Sequence, residues 1–137
     1  MSDDLLRYWK SPPKGHAGHV WLSRKGAIDA SEGRMGIIPG SMGAATYIVR
    51  GRGNAEAYAT SPHGAGRVMG RNQARKTLSP EDFRKQMAGK TWLDRDAQKL
   101  LDEAPSAYKP IEKVIQDSAD LIEPVTKISQ CINYKGL

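Results

Sequence analysis

The 137-residue sequence is poor in several features that define common protein classes. Its single cysteine, Cys131, excludes an internal disulfide and a metal site built from several thiolates, and it is typical of a reducing compartment. No apolar run is long enough to span a bilayer, and the first residues lack the order of a secretory signal. We therefore expect one cytoplasmic domain over residues 1–137, without a membrane partner.

Positive charge is in excess and unevenly distributed. The 21 lysines and arginines outnumber the 15 acidic residues, which gives a formal net charge of +6. Most of the excess lies between residues 50 and 90, whereas residues 94–120 are nearly balanced. This distribution favours a polyanionic partner, with nucleic acid or a nucleotide as the leading class.

Local patterns predict an α+β fold, with a mixed or antiparallel sheet and three or four packing helices. Ser79 followed by Pro80 is a helix start signal, and Cys131 is expected to be a small buried residue in a terminal strand. A loop is predicted over residues 10–18. Helices are predicted over residues 2–9, 67–78, 80–88, 93–104 and 111–118, and strands over residues 19–24, 44–50, 55–61 and 125–135.

The run His63-Gly64-Ala65-Gly66-Arg67 places a histidine among glycines. The glycines permit positive φ and close approach of an anion, and a helix beginning at Arg67 would direct free N–H groups towards it. Arg67, Arg71 and Arg75 recur every four residues, so such a helix would present three guanidinium groups to phosphates. The alternative is an exposed loop followed by a solvated basic helix.

Five short motifs follow one another between residues 19 and 136. They are Arg24-Lys25-Gly26-Ala27, Ile38-Pro39-Gly40-Ser41-Met42-Gly43, His63-Gly64-Ala65-Gly66-Arg67, Asp102-Glu103-Ala104-Pro105-Ser106-Ala107-Tyr108-Lys109 and Lys135-Gly136. Together they resemble the C-terminal part of the RtcB family of GTP-dependent RNA ligases, an α/β sandwich; residues 1–18 are divergent. The resemblance implies joining of an RNA 3′-phosphate or 2′,3′-cyclic phosphate to a 5′-hydroxyl, with GTP and manganese, in RNA repair and tRNA splicing.

The resemblance also implies roles for individual residues. His63 matches the nucleophile that forms a covalent bond to GMP. Tyr108 matches a tyrosine that stacks on guanine, and Lys135 a lysine that donates hydrogen bonds to it. Arg67 and Arg71 match arginines that face RNA phosphates. The other residues matched to nucleotide contacts are Pro39, Gly40, Ser41, Met42, Thr46, Gly64, Ala65 and Gly66. A structural turn, buried packing of Tyr108 and solvated arginines are the alternatives.

The sequence departs from the family pattern most seriously where metal ligands are expected. The family has a His-Asn pair before the first strand, where this sequence has Leu6-Arg7, and its remaining metal ligands lie further upstream. His16, His19 and His63 are a poor set for manganese, which favours oxygen ligands. We therefore expect no metal site within these residues.

Three other departures are milder. Thr46 replaces a serine and keeps its hydroxyl, Gly70 replaces the serine of a Met-Ser-Arg triplet, and Asn133 replaces a cysteine. The leading hypothesis is the nucleotide-binding part of an RNA ligase that requires a separate N-terminal metal-binding polypeptide. The alternatives are a non-catalytic RNA- or nucleotide-binding regulatory protein, and an inert relic whose exposed apolar surface is covered by self-association.

Overall fold

The computed structural model describes residues 6–9 and 20–135, which form an α+β fold as predicted. His16, His19, Gly136 and the predicted loop over residues 10–18 lie outside the described residues. The strands are β1 (Leu6–Trp9), β2 (Val20–Ser23), β3 (Ala27–Asp29), β4 (Met35–Pro39), β5 (Thr46–Gly51), β6 (Thr60–Pro62) and β7 (Ile122–Ile128). The α-helices are α1 (Arg71–Thr77), α2 (Pro80–Gln86) and α3 (Ile111–Asp117). Across these described ranges no helix has the length and apolar character needed to cross a bilayer.

All strand pairs in the described part of the chain are antiparallel. β5 is the central strand of a three-stranded sheet between β4 and β7, while β3 pairs with β6 and β1 with β2. β4 ends at Pro39, which pairs with Thr46, and β6 ends at Pro62, which pairs with Ala27. The loops after Pro39 and Pro62 therefore both leave from the end of a paired strand.

Two clusters of buried side chains form the core. The first joins the three-stranded sheet to α3, through Ala30, Ile38, Val49, Ala65, Ile111, Ile115 and Ile122. The second surrounds Phe83 of α2 and comprises Met42, Phe83, Met87, Ala97, Leu100, Leu101 and Ala104. Complete burial of each large side chain stabilises the fold by about 2 kcal/mol. Ala65 and Met42 anchor the loops after β6 and β4 in different clusters.

Several predicted elements are confirmed. The Ser79 hydroxyl accepts a hydrogen bond from the backbone N–H of Asp82 at 3.1 Å, and the Asp82 carboxylate accepts one from the N–H of Ser79 at 3.3 Å. This reciprocal cap starts α2 at Pro80, as the sequence predicts. The strands β2 and β5 and the helix α3 also lie at their predicted places.

Two predictions in the first half of the chain are wrong. Leu6–Trp9 form a strand rather than the end of a helix, because pairing with β2 supplies interstrand hydrogen bonds, whereas an isolated helix of about eight residues is only marginally stable. Of the predicted strand over residues 55–61, only Thr60 and Ser61 belong to a strand, β6, which ends one residue later at Pro62. The Asn54 side chain accepts hydrogen bonds from the N–H groups of Glu56 and Ala57 and bends the chain before β6.

The predicted helix over residues 93–104 is also wrong, although its apolar positions from Ala97 to Ala104 are buried and only Leu93 is exposed. In its place the chain forms short 3₁₀ turns at Asp94–Asp96 and Leu101–Glu103, and a third follows at Pro105–Ala107. A 3₁₀ turn has hydrogen bonds between residues three apart, and it places nearly the same side chains on one face as an α-helix does. The apolar spacing therefore identified the buried face but not the hydrogen bonding.

The C-terminal strand ends earlier than predicted. β7 stops at Ile128, and Cys131 is exposed instead of buried in a strand. The N–H of Thr91 donates to the carbonyl of Cys131 and the N–H of Asn133 donates to the carbonyl of Thr91, both at 2.8 Å. The chain therefore leaves the sheet and follows Thr91, which directs Lys135 towards the loop after β4.

The strands β3 and β4 were not predicted, since Gly36 and Pro39 resemble turn signals. A Cβ atom at Gly36 would lie 2.8 Å from Cδ1 of Ile28, so β4 packs closely against β3 at this point. That packing depends on a residue of another strand and has no local sequence signal.

Asp29 at the end of β3 links several elements through its carboxylate. Oδ1 accepts hydrogen bonds from the backbone N–H of Ser31 at 3.0 Å and from its hydroxyl at 2.5 Å. The guanidinium groups of Arg24 and Arg34 lie 3.7 and 3.4 Å away. Burial opposes ionisation, but these hydrogen bonds and charges together hold the pKa of Asp29 below its ordinary value of 3.8.

Replacing Asp29 with asparagine is expected to weaken the fold in a pH-dependent way. A lowered folded-state pKa means that the ionised carboxylate stabilises the fold above about pH 4 and loses this effect as the pH falls through the folded-state pKa. Urea unfolding should therefore show a difference between wild type and Asp29→Asn that is largest near neutral pH and shrinks below about pH 4. A difference that stays constant over this range would contradict the prediction.

Candidate nucleotide-binding site

The loop after β4 forms one wall of a pocket. The N–H of Gly40 donates to the carbonyl of Ala45 at 3.0 Å. A Cβ atom at Gly40 would lie 2.7 Å from the Cβ of Ala44 and 2.8 Å from the Ala45 oxygen, so this closed loop requires glycine. Ser41 is 8% exposed, and its hydroxyl has no hydrogen-bond partner among the described residues. A buried hydroxyl in this state is available to a ligand.

The pocket has a volume of about 280 Å³. It is lined by Pro39, Gly40, Ser41, Met42, Glu103, Tyr108, Gln130, Asn133 and Lys135. The structure thus brings together the loop over residues 39–42, Tyr108 and Lys135, which the sequence predicts as nucleotide contacts. The volume lies near the lower end of the range for ligand pockets, about 300 Å³, and suits one nucleobase.

Thr46 is a predicted nucleotide contact that does not line this pocket. Its hydroxyl accepts a hydrogen bond from the side-chain amide of Gln130 at 3.3 Å. The Asn133 amide donates to Gln130 Oε1 at 2.6 Å and to the carbonyl of Met42 at 3.4 Å. Nothing in the sequence pointed to a role for Gln130, whereas Asn133 was noted as a departure from the family pattern.

His63 directly follows β6, and its exposed side chain lies beside the turn before β3. A Cβ atom at Gly26 would lie 3.7 Å from Cε1 of His63. Gly26 also has a φ of +72°, which favours glycine. The imidazole makes no hydrogen bond or ion pair with the described part of the chain, so both ring nitrogens are available to a ligand.

Backbone hydrogen bonds hold the histidine loop between two other segments. The N–H of Ala65 donates to the carbonyl of Pro39 at 3.1 Å, and the N–H of Lys109 donates to the carbonyl of Gly66 at 2.9 Å. Gly66 has a φ of +72°, the positive φ that the sequence allowed at both glycines, whereas Gly64 does not have a positive φ. The loop that carries His63 is therefore fixed directly to a residue of the 280 Å³ pocket.

A second cavity, of about 530 Å³, opens beside His63. Its walls are mostly apolar and include two lysines. The lining residues are Gly26, Pro62, His63, Gly64, Ala65, Gly66, Lys109, Pro110, Lys113, Val114, Asp117, Ser118 and Leu121. Gly64, Ala65 and Gly66 therefore lie in the same cavity as the histidine.

Arg67 precedes α1 by four residues, so the prediction of a helix from residue 67 is wrong. Its guanidinium donates to the Tyr108 hydroxyl at 2.7 Å, to the carbonyl of Met69 at 3.2 Å and to the carbonyl of Asp102. The same group lies 4.6 Å above the centre of the Tyr108 ring. These contacts fix Arg67 in an irregular segment, which explains why the helix begins later.

Arg71 and Arg75 lie on one face of α1, as their spacing predicts, and both approach the Asp102 carboxylate. The Nε atoms of Arg71 and Arg75 are 3.7 and 3.2 Å from its oxygens. Asp102 is buried, whereas the side chains of Arg71 and Arg75 are 68% and 55% exposed. Both guanidinium groups can therefore also contact an anion in solution.

Glu103 joins Tyr108 and Lys135 inside the pocket. Its Oε2 atom accepts a hydrogen bond from the Tyr108 hydroxyl at 2.6 Å and lies 3.0 Å from the Lys135 ammonium. Burial opposes ionisation of Glu103, but Tyr108, Lys135 and Arg67 hold its pKa below the ordinary value. Burial, followed by the bond to Glu103, raises the pKa of Tyr108 to about 12.

The described residues do not fit a manganese ion. Within residues 6–9 and 20–135 no three His, Cys, Asp or Glu side chains are grouped so that they could hold a metal. Asp29 is engaged by Ser31, Arg24 and Arg34, and Glu103 by Tyr108 and Lys135.

Comparison with known proteins identifies the wider group. The sequence model of the family described as tRNA-splicing ligase RtcB matches residues 12–136. The chain is 44% identical to the RNA-splicing ligase RtcB of Escherichia coli K12, over 85% of this chain and 28% of that protein. It is 37% identical to the tRNA-splicing ligase RtcB of Pyrobaculum aerophilum, over 75% of this chain and 25% of the relative. The chain thus spans less than a third of these relatives.

Proposed function

The chain belongs to the RtcB family, and we propose that it is the nucleotide-binding part of an RNA ligase. The proposed reaction joins an RNA 3′-phosphate or 2′,3′-cyclic phosphate to a 5′-hydroxyl, with GTP as the energy source. The observation that supports it most is the convergence of residues 39–42, Tyr108 and Lys135 in one pocket whose wall is hydrogen-bonded to the loop of His63.

In the proposed mechanism the pocket binds guanine and His63 acts on the phosphates. The tyrosine ring offers a stacking surface, the lysine donates to acceptors on guanine, and the buried Ser41 hydroxyl gains a partner. A neutral His63 nitrogen attacks the α-phosphorus of GTP, forming an N–P bond while the bond to pyrophosphate breaks. The RNA 3′-phosphate then displaces the histidine and takes up GMP, and the 5′-hydroxyl finally displaces GMP.

The proposal includes a second polypeptide that covers this chain and supplies metal ligands. The relatives are more than three times longer than the matched region, since it covers 28% of the Escherichia coli protein. The three-stranded sheet exposes Met35, Ile37, Val125 and Ile128, whose exposed fractions range from 43% to 59%. An apolar surface of this kind fits a covering partner, and we propose the part of the relatives that the chain does not match.

Mass spectrometry of the chain after incubation with GTP and manganese tests the proposal. A GMP adduct on His63 is expected only when the unmatched part of the Escherichia coli relative is added as a separate polypeptide. Efficient adduct formation by the chain alone would overturn the need for a partner. No adduct with the partner present would overturn the ligase assignment.

The exposed arginines of α1 and the net charge of +6 favour a second candidate, a non-catalytic RNA-binding protein. Filter binding at several salt concentrations separates the two. RNA affinity that falls steeply with salt and does not respond to GTP supports the binding protein, whereas an effect of GTP on RNA affinity supports the ligase.

A further inference from the structure

Glu103 occupies a place in the pocket to which the sequence assigned no role. It belongs to the 3₁₀ turn Leu101–Glu103, whose first residue, Leu101, is 1% exposed within the core cluster around Phe83. The Glu103 side chain is 14% exposed and lines the 280 Å³ pocket. The turn that carries the Glu103 carboxylate is therefore anchored in the core and places it in the pocket wall.

We infer that Glu103 is a positioning residue that holds the Tyr108 ring and the Lys135 ammonium in the geometry needed to recognise guanine. This inference rests on the proposed function, because it concerns binding of GTP at the same pocket. One carboxylate oxygen is within hydrogen-bond distance of both side chains, at 2.6 Å from the Tyr108 hydroxyl and 3.0 Å from Lys135 Nζ.

The two partners differ in how much support they have without Glu103. Tyr108 also accepts a hydrogen bond from Arg67 and lies under its guanidinium. Lys135 is 42% exposed and lies in a segment that has left the sheet, and Glu103 is its only ion-pair partner among residues 20–135. Loss of the carboxylate charge should therefore release Lys135 more than Tyr108.

Release of Lys135 should affect guanine and adenine differently. Guanine presents the O6 acceptor where adenine presents an amino donor, so a fixed ammonium group favours guanine and opposes adenine. Tyr108 stacks on either purine and does not discriminate between them. A loss of positioning should therefore lower the preference for GTP over ATP, whereas a loss of general stability should leave that ratio unchanged in the folded protein.

The test compares Glu103→Gln with Glu112→Gln in the full chain, by titration with GTP and with ATP, with and without the polypeptide proposed above. Glu112 forms an ion pair with Lys127 at 2.7 Å, away from the pocket, and provides a matched control. Glu103→Gln should lower the GTP to ATP affinity ratio about tenfold, the effect of losing one charge-assisted contact. Glu112→Gln should leave the ratio unchanged. Glu103→Asp, which retains the charge, should retain part of the preference.

Carbon-13 NMR of labelled tyrosine provides a measurement that does not depend on GTP. The pKa of the Tyr108 phenol, about 12 in the wild type, should be lower in Glu103→Gln, because the bond to the carboxylate is lost while the burial remains; Tyr108→Phe assigns the resonance. An unchanged Tyr108 titration or an unchanged GTP to ATP ratio in folded Glu103→Gln would overturn the inference. If the wild type binds no GTP under either condition, the proposed function fails, and the role of Glu103 in guanine recognition fails with it.

Discussion

Replacement of His63 by glutamine is expected to abolish the covalent GMP adduct, lowering its rate of formation about 1,000-fold or more. Glutamine has no ring nitrogen with a free electron pair, so it cannot form the N–P bond. The measurement is radiolabel transfer from α-labelled GTP in the presence of manganese and the proposed partner polypeptide. Intact-protein mass spectrometry should show the same loss.

The His63 substitution should not unfold the protein, which makes the result interpretable. The side chain is exposed and makes no hydrogen bond or ion pair with the described residues, so the free energy of unfolding should change by less than about 0.5 kcal/mol. His16→Gln and His19→Gln are controls of the same type and should retain adduct formation. An adduct on another residue in His63→Gln, or its loss in both controls, would contradict the assignment of His63 as the nucleophile.

Local signals were sufficient to predict the conformation of Gly66 and the cap of α2. Gly66 has the positive φ that a glycine permits, and Ser79 and Asp82 form the reciprocal cap that their spacing indicates. Each of these features depends on residues that are close in sequence. The family resemblance then identified most of the residues that line the pocket, because it assigns motifs that are far apart in the sequence to one binding site.

The features that sequence reasoning missed depend on contacts between distant residues. Thr91 and Cys131 are joined by a backbone hydrogen bond of 2.8 Å, which turns the chain out of the sheet before Lys135. The alternating pattern alone predicted a strand that continues through this region, whereas β7 ends at Ile128. Glu103 was likewise visible within a motif, but its importance depends on Lys135, and no spacing rule relates these two residues.

Arg67 shows most clearly how distant contacts override a local pattern. Its spacing from Arg71 predicts a shared helical face, yet the helix begins only at Arg71. The partners that fix Arg67 are Tyr108 and Asp102, which lie 41 and 35 residues further along the chain. The predicted contacts of Arg67 and Arg71 with RNA phosphates stay predictions, and these different environments allow the two arginines to be tested separately.

Arg67→Ala is expected to lower the free energy of unfolding by about 3 kcal/mol, measured by urea denaturation. The substitution removes three hydrogen bonds and the cation above the Tyr108 ring, and it leaves the Asp102 carbonyl without this donor. Arg71→Ala is the matched control. It should cost about 0.5 kcal/mol, because the Arg71 guanidinium is largely exposed and Asp102 retains Arg75.

RNA binding separates the two arginines further, because Arg71 is expected to affect RNA affinity directly and Arg67 is expected to affect mainly stability. Arg71→Ala should weaken RNA binding and reduce its salt dependence at the small cost in stability given above, as expected for a phosphate contact. Arg67→Lys retains the positive charge but loses the planar fork, so it should show most of the stability loss of Arg67→Ala. If Arg67→Lys is as stable as the wild type, charge alone suffices at this position. The fork contacts with Tyr108 and Asp102 would then not be what fixes Arg67, and its guanidinium would be free to bind an RNA phosphate as the family resemblance implies.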